Sequence, residues 1–182
     1  FFDLMNLVLG ERPVRVLASG AQDVNHLDER YDGETPDILD NAYVIVDYPS
    51  GARALLDLCM FAEGSMWEQE LVVVGDAGKV EADVPGFMEV ARGRSAQIVV
   101  GSRGPDWPVD VHEVGEDPAV GHVGTHHGSS YVELARFCDA VRAGEPAAVT
   151  VDDGLWSVAM GVAAHRSIDE GRPVTMTELG LP

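Results

Sequence analysis

Asn41-Ala42-Tyr43-Val44-Ile45-Val46-Asp47-Tyr48, the link Pro49-Ser50-Gly51, and the run Ala52-Arg53-Ala54-Leu55-Leu56-Asp57-Leu58-Cys59-Met60-Phe61 decide how this chain folds. Two runs rich in aliphatic and aromatic residues, joined by a Pro/Gly link that allows only a tight reversal, predict an antiparallel hairpin. Trp67 to Val74 follows Glu63-Gly64-Ser65, and Lys79 to Val84 follows the turn Asp76-Ala77-Gly78. Neighbouring strands then pair antiparallel, and the expectation between Asp40 and Asp83 is a meander of four strands. Side chains alternate across a strand, so Ala52, Ala54, Leu56, Leu58 and Met60 share one face while Arg53, Leu55, Asp57, Cys59 and Phe61 share the other. The second face is half apolar. It is read either as part of a two-sided core or as a surface covered by further polypeptide or another subunit.

On the N-terminal side, Pro13 to Ala21 (PVRVLASGA) alternates as a strand, and Gln22 to Leu39, rich in Asp, Glu, Gly and Pro and containing His26 and Tyr31, reads as a long surface loop. The chain opens on FFDLMNLVLG, the apolar spacing of a helix closed by a C-cap glycine at Gly10, with no capping residue ahead of it. The expectation is that the polypeptide continues upstream of Phe1.

On the C-terminal side, Pro85 to Arg94 is irregular, and Ala96 to Gly101 and Val109 to Val114 read as two more strands. The Gly- and His-rich loop Gly115 to Gly128 leads into a helix capped by Ser129 or Ser130, with Glu133 at capping-box distance and an apolar stripe of Tyr131, Leu134, Ala135, Cys138 and Val141. A second helix starts near Asp152 behind the pair Thr150 and Asp153, with a stripe of Leu155, Val158, Ala159, Val162 and Ala163 and with Trp156 and Met160 beside it. Gly171 ends it, and Pro173 to Met176 adds an edge strand. A block of strands with helices at its two ends defines an α+β fold, an open, mostly antiparallel sheet with helices on one face.

The 182 residues suffice for one sizeable core, and 12 Lys+Arg against 31 Asp+Glu give a formal charge of -19. That balance argues against nucleic-acid and anionic-membrane partners, because phosphate binding needs a basic face. No apolar run approaches the roughly 18 residues of a membrane span, and no signal-peptide pattern is present. Cys59 and Cys138 sit in apolar patterns and read as buried free thiols of a reduced, cytoplasmic protein.

Four of the six histidines, His112, His122, His126 and His127, fall in a short stretch. Their spacing matches no strong zinc pattern, so no metal is assigned. His126 and His127, at the mouth of a helix N-terminus, are read either as contacts to a polar ligand or as solvated surface histidines. Asp3 lies in an otherwise apolar helix, where a carboxylate must be paired or face a cleft. There is no GxGxxG after a strand, no Walker motif and no nucleophile elbow, so the chain has no evident means of binding a dinucleotide by itself.

The order of elements and several local patterns resemble the Gfo/Idh/MocA family of NAD(P)-dependent oxidoreductases. Phe1-Phe2-Asp3-Leu4-Met5 resembles the segment after the active-site histidine of that family's H-x-x-D helix, and Asp47 to Ala54 its strand, turn and strand. Val74-Gly75-Asp76-Ala77-Gly78 resembles its i-x-G-x-x-G-like turn, YVELARFCDAVRAG (Tyr131 to Gly144) its F-x-x-A-i-x-x-G helix, and Val149 to Met176 its closing helix and strand. The resemblance implies that residues 1–182 form a C-terminal substrate-binding and oligomerisation domain of the dihydrodipicolinate-reductase-like kind, its open sheet face building a homo-oligomer. An N-terminal Rossmann domain, outside this chain, would hold NAD or NADP and a catalytic lysine, with a D-x-x-x-H pair just ahead of Phe1. The activity implied for the parent is hydride transfer to or from a sugar, polyol or related hydroxyl compound. Asp3 would support the catalytic histidine, and His126, His127 and Tyr131 would bind substrate. The chain alone is expected to be inactive and to bind no cofactor. The competing reading is a non-catalytic binding or assembly module of the same fold.

Overall fold

The computed structural model describes residues 1–115, 117, 120, 124 and 126–182. In chain order the elements are α1 (Phe2–Leu9), β1 (Arg15–Ala21), β2 (Asn41–Asp47), β3 (Arg53–Cys59), β4 (Gln69–Val74), β5 (Gly78–Val84), α2 (Phe87–Ala91), β6 (Ala96–Ser102), β7 (Val109–Val114), α3 (Ser129–Ala143), α4 (Val151–Glu170) and β8 (Val174–Thr175), followed by a 3-10 turn over Met176–Leu179. They fall into two compact units, Phe1–Ala62 with Ala148–Pro182, and Glu63–Ala147.

The first unit holds an antiparallel sheet in the order β3-β2-β1-β8. The β2–β3 hairpin is as expected: Val44 stands opposite Leu56, and the Gly51 N–H donates to the Tyr48 carbonyl at 3.0 Å to close the turn. Val16, Ala18, Val44, Val46 and Val174 on the inner face of this sheet pack against Trp156, Ala159, Met160, Ala163 and Ala164 of α4, and Phe2, Met5 and Leu9 of α1 pack against the same core. α1 ends at Gly10 and α4 at Gly171, both left-handed, as the glycine positions imply. The loop between β1 and β2 is irregular apart from its turns and a bridge between Tyr31 and Glu34.

The second unit holds an antiparallel sheet in the order β4-β5-β6-β7, with α2 and α3. Among its described residues, no aliphatic or aromatic side chain other than that of Pro85 is buried.

The α+β class and the antiparallel pairing agree with the sequence reading, and several details do not. The expected four-strand meander divides after β3, with β4 joining a second sheet. The chain from Met60 to Glu68 is far longer than a hairpin turn, so nothing holds β4 beside β3. Residues Phe87–Ala91, expected to be irregular, form the short helix α2. The N-cap of α3 is Gly128 and not Ser129 or Ser130; its φ is 81°, and a Cβ there would lie 2.6 Å from Val120 Cγ1. No residue of the expected α3 stripe is buried. On α4 the buried stripe is Trp156, Ala159, Met160, Ala163, Ala164 and Ser167, whereas Leu155, Val158 and Val162 face outward. Both stripes are apolar at helical spacing, and the alanine-rich one wins because small side chains let α4 lie close on β1. Cys59 and Cys138 are exposed, because Cys59 falls on the outward face of β3 and α3 is uncovered at Cys138. Met60, expected to share a face with Ala54, Leu56 and Leu58, is exposed because β3 has ended at Cys59.

Candidate functional site

Three of the expected site residues gather at the start of α3. His126 and His127 are exposed in the turn before the helix, and Tyr131 lies in its first turn, 42% exposed. The turn is set by backbone geometry: His127 has a φ of 53°, Gly128 follows in the left-handed region, and the Ser129 N–H donates to the His126 carbonyl at 2.9 Å. Imidazoles and a phenol presented this way offer donors and acceptors to a hydroxyl-rich molecule. His122 lies outside the described residues, and His112 is exposed on β7. No group of three metal-ligating side chains occurs among the described residues.

Asp3 belongs to the other unit, in the first turn of α1. Its side chain is half-buried and has no hydrogen bond or ion pair among the described residues. The helix that carries it is tied down from below. Asn6 is 5% exposed; its Oδ1 accepts from the Tyr48 hydroxyl at 2.9 Å, and its Nδ2 points at Met160 Sδ at 3.5 Å. Burial pushes the Tyr48 phenol up to about 12, with a smaller push from Glu11, so the hydroxyl stays a donor. Just past α1, Arg12 Nη2 reaches Asp152 at 2.8 Å and Asp153 at 2.7 Å, and its guanidinium lies 5.7 Å from the centre of the Trp156 ring.

Two polar clusters escaped the sequence reading. The Asp40 carboxylate, 1% exposed, accepts from the backbone N–H groups of Asp23, Val24 and Asn25 and from the Asn41 amide. Burial alone would raise its pKa, but these donors outweigh that and hold it well below the usual carboxylate range, anchoring the loop after β1. In the same loop the Glu29 carboxylate bridges His26 Nδ1 at 2.8 Å and the Tyr31 hydroxyl at 2.9 Å, and these bonds, His26 first, lower its pKa. Neither cluster has a motif, since ordinary Asp and Glu residues in an acidic loop give no sign of what they will meet.

A shallow cleft of about 430 Å³ at the end of the first unit's sheet is lined by Val14, Arg15, Asp47, Tyr48, Arg53 and Thr175 among others. Arg15 Nε is held at 2.7 Å by Asp47, and Arg53 Nε lies 3.9 Å from the same carboxylate. The two guanidinium groups share this single carboxylate, and no expected site residue lines the cleft. All strand pairings among the described residues are antiparallel, so these sheets lack the parallel crevice in which dinucleotides are bound.

Residues 1–176 match the family model described as "Oxidoreductase family, C-terminal alpha/beta domain". The chain belongs to the Gfo/Idh/MocA oxidoreductase family and carries that C-terminal domain. Among curated proteins it is similar to the myo-inositol 2-dehydrogenase of Thermotoga maritima, with 30% identity over 183 aligned positions covering 98% of this chain and 47% of the relative. The chain thus spans about half the length of that relative. Its fold is similar to that of an oxidoreductase from Agrobacterium radiobacter in complex with NAD+, L-tartaric acid and magnesium, with a TM-score of 0.70, 18% identity, and coverage of 98% of this chain and 47% of the other. It is also similar to the aldose-aldose oxidoreductase from Caulobacter crescentus complexed with glycerol, with a TM-score of 0.65, 21% identity, and coverage of 95% and 44%. No helix among the described residues is long and apolar enough to cross a membrane.

Proposed function

We propose that this chain is the substrate-binding and oligomerisation half of an NAD(P)-dependent oxidoreductase that acts on a sugar, polyol or related hydroxyl compound. The observation that carries this reading is the family match over residues 1–176, and the 30% identity with a myo-inositol 2-dehydrogenase favours a polyhydroxylated substrate. The nicotinamide accepts or delivers hydride when bound, but the antiparallel sheets here do not fit it, so its binding falls to another part of the parent protein. The tasks left to this chain are binding, orientation and assembly, and it is inactive alone.

His126, His127 and Tyr131 hydrogen-bond substrate hydroxyls from the start of α3. Their exposure and mixed donor and acceptor capacity support that task. Asp3 acts as a positioning residue: without a partner of its own among the described residues, its carboxylate is free to hold the histidine of the family's H-x-x-D motif. Kinetics of the full-length enzyme with myo-inositol and glucose test the reading. His126→Ala and His127→Ala are each expected to lower kcat/KM about tenfold or more, since a lost hydrogen bond to a hydroxyl weakens transition-state binding. Unchanged kcat and KM in both variants remove these residues from the site.

The outward face of the first sheet supports assembly. Register places Arg15, Asp47 and Arg53 in one row across β1, β2 and β3, Leu17, Ile45 and Leu55 in the next, and Ser19, Tyr43 and Asp57 in the third. Leu17, Tyr43, Ile45 and Leu55 are all exposed. A second copy of this chain is the occupant that suits the face, because a two-fold axis near Leu55 lays Arg53 of one copy over Asp57 of the other.

A further inference from the structure

We infer that the Asn6–Tyr48 hydrogen bond is the rotational lock of α1 and thereby a positioning device for Asp3. The inference rests on the role proposed above for Asp3 and goes beyond it to what aims that carboxylate.

α1 has only eight residues, and its N-cap, Phe1, makes no side-chain capping bond. Phe2, Met5 and Leu9 hold it on the core, and Phe2 lies over Gly161 of α4, where a Cβ would sit 3.8 Å from the Phe2 ring. Such apolar contacts are non-directional and leave a short helix free to roll on its neighbour. Asn6 supplies direction from within the helix, whereas the ion pairs of Arg12 act past its end. It is buried on the same flank as Asp3, which precedes it by three residues, so the two side chains lie about 60° apart around the helix axis. Its Oδ1 is bonded to a phenol fixed at the end of β2, and its amide faces Met160 on α4, so rotation in either direction breaks one contact or crowds the other.

An apolar residue would fill this position without burying an amide whose second partner is only a thioether, a weak acceptor. Register-setting is the best-attested use of a single buried asparagine among apolar neighbours. The lever is short and sensitive. A roll of about 10° moves a side-chain tip at a radius of about 5–6 Å by about 1 Å. Displacements of that order at an active site can lower the rate about 100-fold.

The test uses the full-length enzyme with Tyr48→Phe, the double variant Asn6→Leu/Tyr48→Phe, and Asp3→Asn as reference. It reads thermal midpoint, kcat and KM with myo-inositol and NAD+, and the NMR titration midpoint of the motif histidine that would precede Phe1. Tyr48→Phe strands the Asn6 oxygen and lowers both the thermal midpoint and kcat. The double variant replaces both partners with apolar groups and is expected to recover thermal stability. Its kcat is expected to remain about tenfold or more below wild type at little-changed KM. The histidine midpoint is expected to fall in the direction seen for Asp3→Asn, since a withdrawn carboxylate no longer favours the imidazolium. Recovery of kcat and of the histidine midpoint along with stability overturns the inference and leaves a purely structural bond. A normal histidine midpoint in both Tyr48 variants, beside a shifted one in Asp3→Asn, overturns the lock while the role of Asp3 stands. No shift in Asp3→Asn overturns that role, and the lock with it.

Discussion

Ser167 is fully buried at the last turn of α4, where its hydroxyl accepts from the Ala18 N–H at 2.8 Å and donates to the Arg172 carbonyl at 2.7 Å. One side chain thus ties the helix both to β1 and to the segment entering β8. Ser167→Ala leaves the buried Ala18 N–H and the partly buried Arg172 carbonyl without this partner, and stranding a buried backbone group costs about 1–3 kcal/mol. Equilibrium urea unfolding is expected to show a lower midpoint at unchanged slope, as for a change in stability without a change in surface exposed. Asn6, Asp40 and Ser167 share one lesson. Each is an ordinary residue type for its local setting, and each acquires its role from a partner between 15 and 154 positions away. Asp3 and the histidine pair were singled out from the sequence because of what stood beside them. Their neighbours in sequence were informative; Tyr48 and Met160 for Asn6, residues 23–25 for Asp40 and Ala18 for Ser167 lay far along the chain.

At the scale of elements, the start of α4 is legible from its own residues. The Thr150 hydroxyl accepts from the Asp153 N–H, and the Asp153 carboxylate accepts from the Thr150 N–H at 2.8 Å and its hydroxyl at 2.7 Å, the reciprocal box the spacing predicts. These Thr150 bonds, and after them Arg12, hold Asp153 down to about 2. Glu178 in the closing 3-10 turn is likewise held at about 2, by Arg172 first and then by the Thr175 N–H and hydroxyl. A carboxylate whose folded-state pKa is depressed stabilises the fold above its unfolded value and loses that contribution as pH falls through the folded one. Stability is therefore expected to be level down to about pH 5 and to decline between roughly pH 4.5 and 2 as these carboxylates protonate. Urea midpoints across that range check this, and Asp153→Asn is expected to show a shallower acid limb than wild type. α3 is the counter-example. Its expected serine cap is displaced by Gly128, because Val120 approaches too closely for a Cβ and the turn at His127 enters the helix in the left-handed region.

At the scale of the molecule, the exposed row Leu17, Ile45 and Leu55 is the feature with the largest consequence. Leu17 and Ile45 are 41% exposed and Leu55 60%, so each still has apolar surface to remove from water, at roughly 25 cal/mol per Å², if a second copy covers the proposed face. Ile45→Glu is expected to weaken self-association of the full-length protein at least 100-fold, read by sedimentation velocity across a concentration series. Arg53→Asp is expected to weaken it and Arg53→Asp/Asp57→Arg to restore it, because the charges exchange places across the proposed two-fold. An assembly state indifferent to all three changes removes this face from the interface. The alternation of β3 showed only its own share of this face, Leu55 between Arg53 and Asp57, while the row itself is set by the register across β1, β2 and β3.

The hairpin at Pro49-Ser50-Gly51, the glycine stops at Gly10, Gly144 and Gly171, and the box at Thr150 were determined by sequence alone, for they depend on sterics and hydrogen bonds within a few residues. The tertiary structure decided which of two apolar stripes α4 buries, that β4 leaves the first sheet, and that Asn6 meets Tyr48. Those outcomes depend on burial summed over elements distant in the chain, and no local pattern contains that sum.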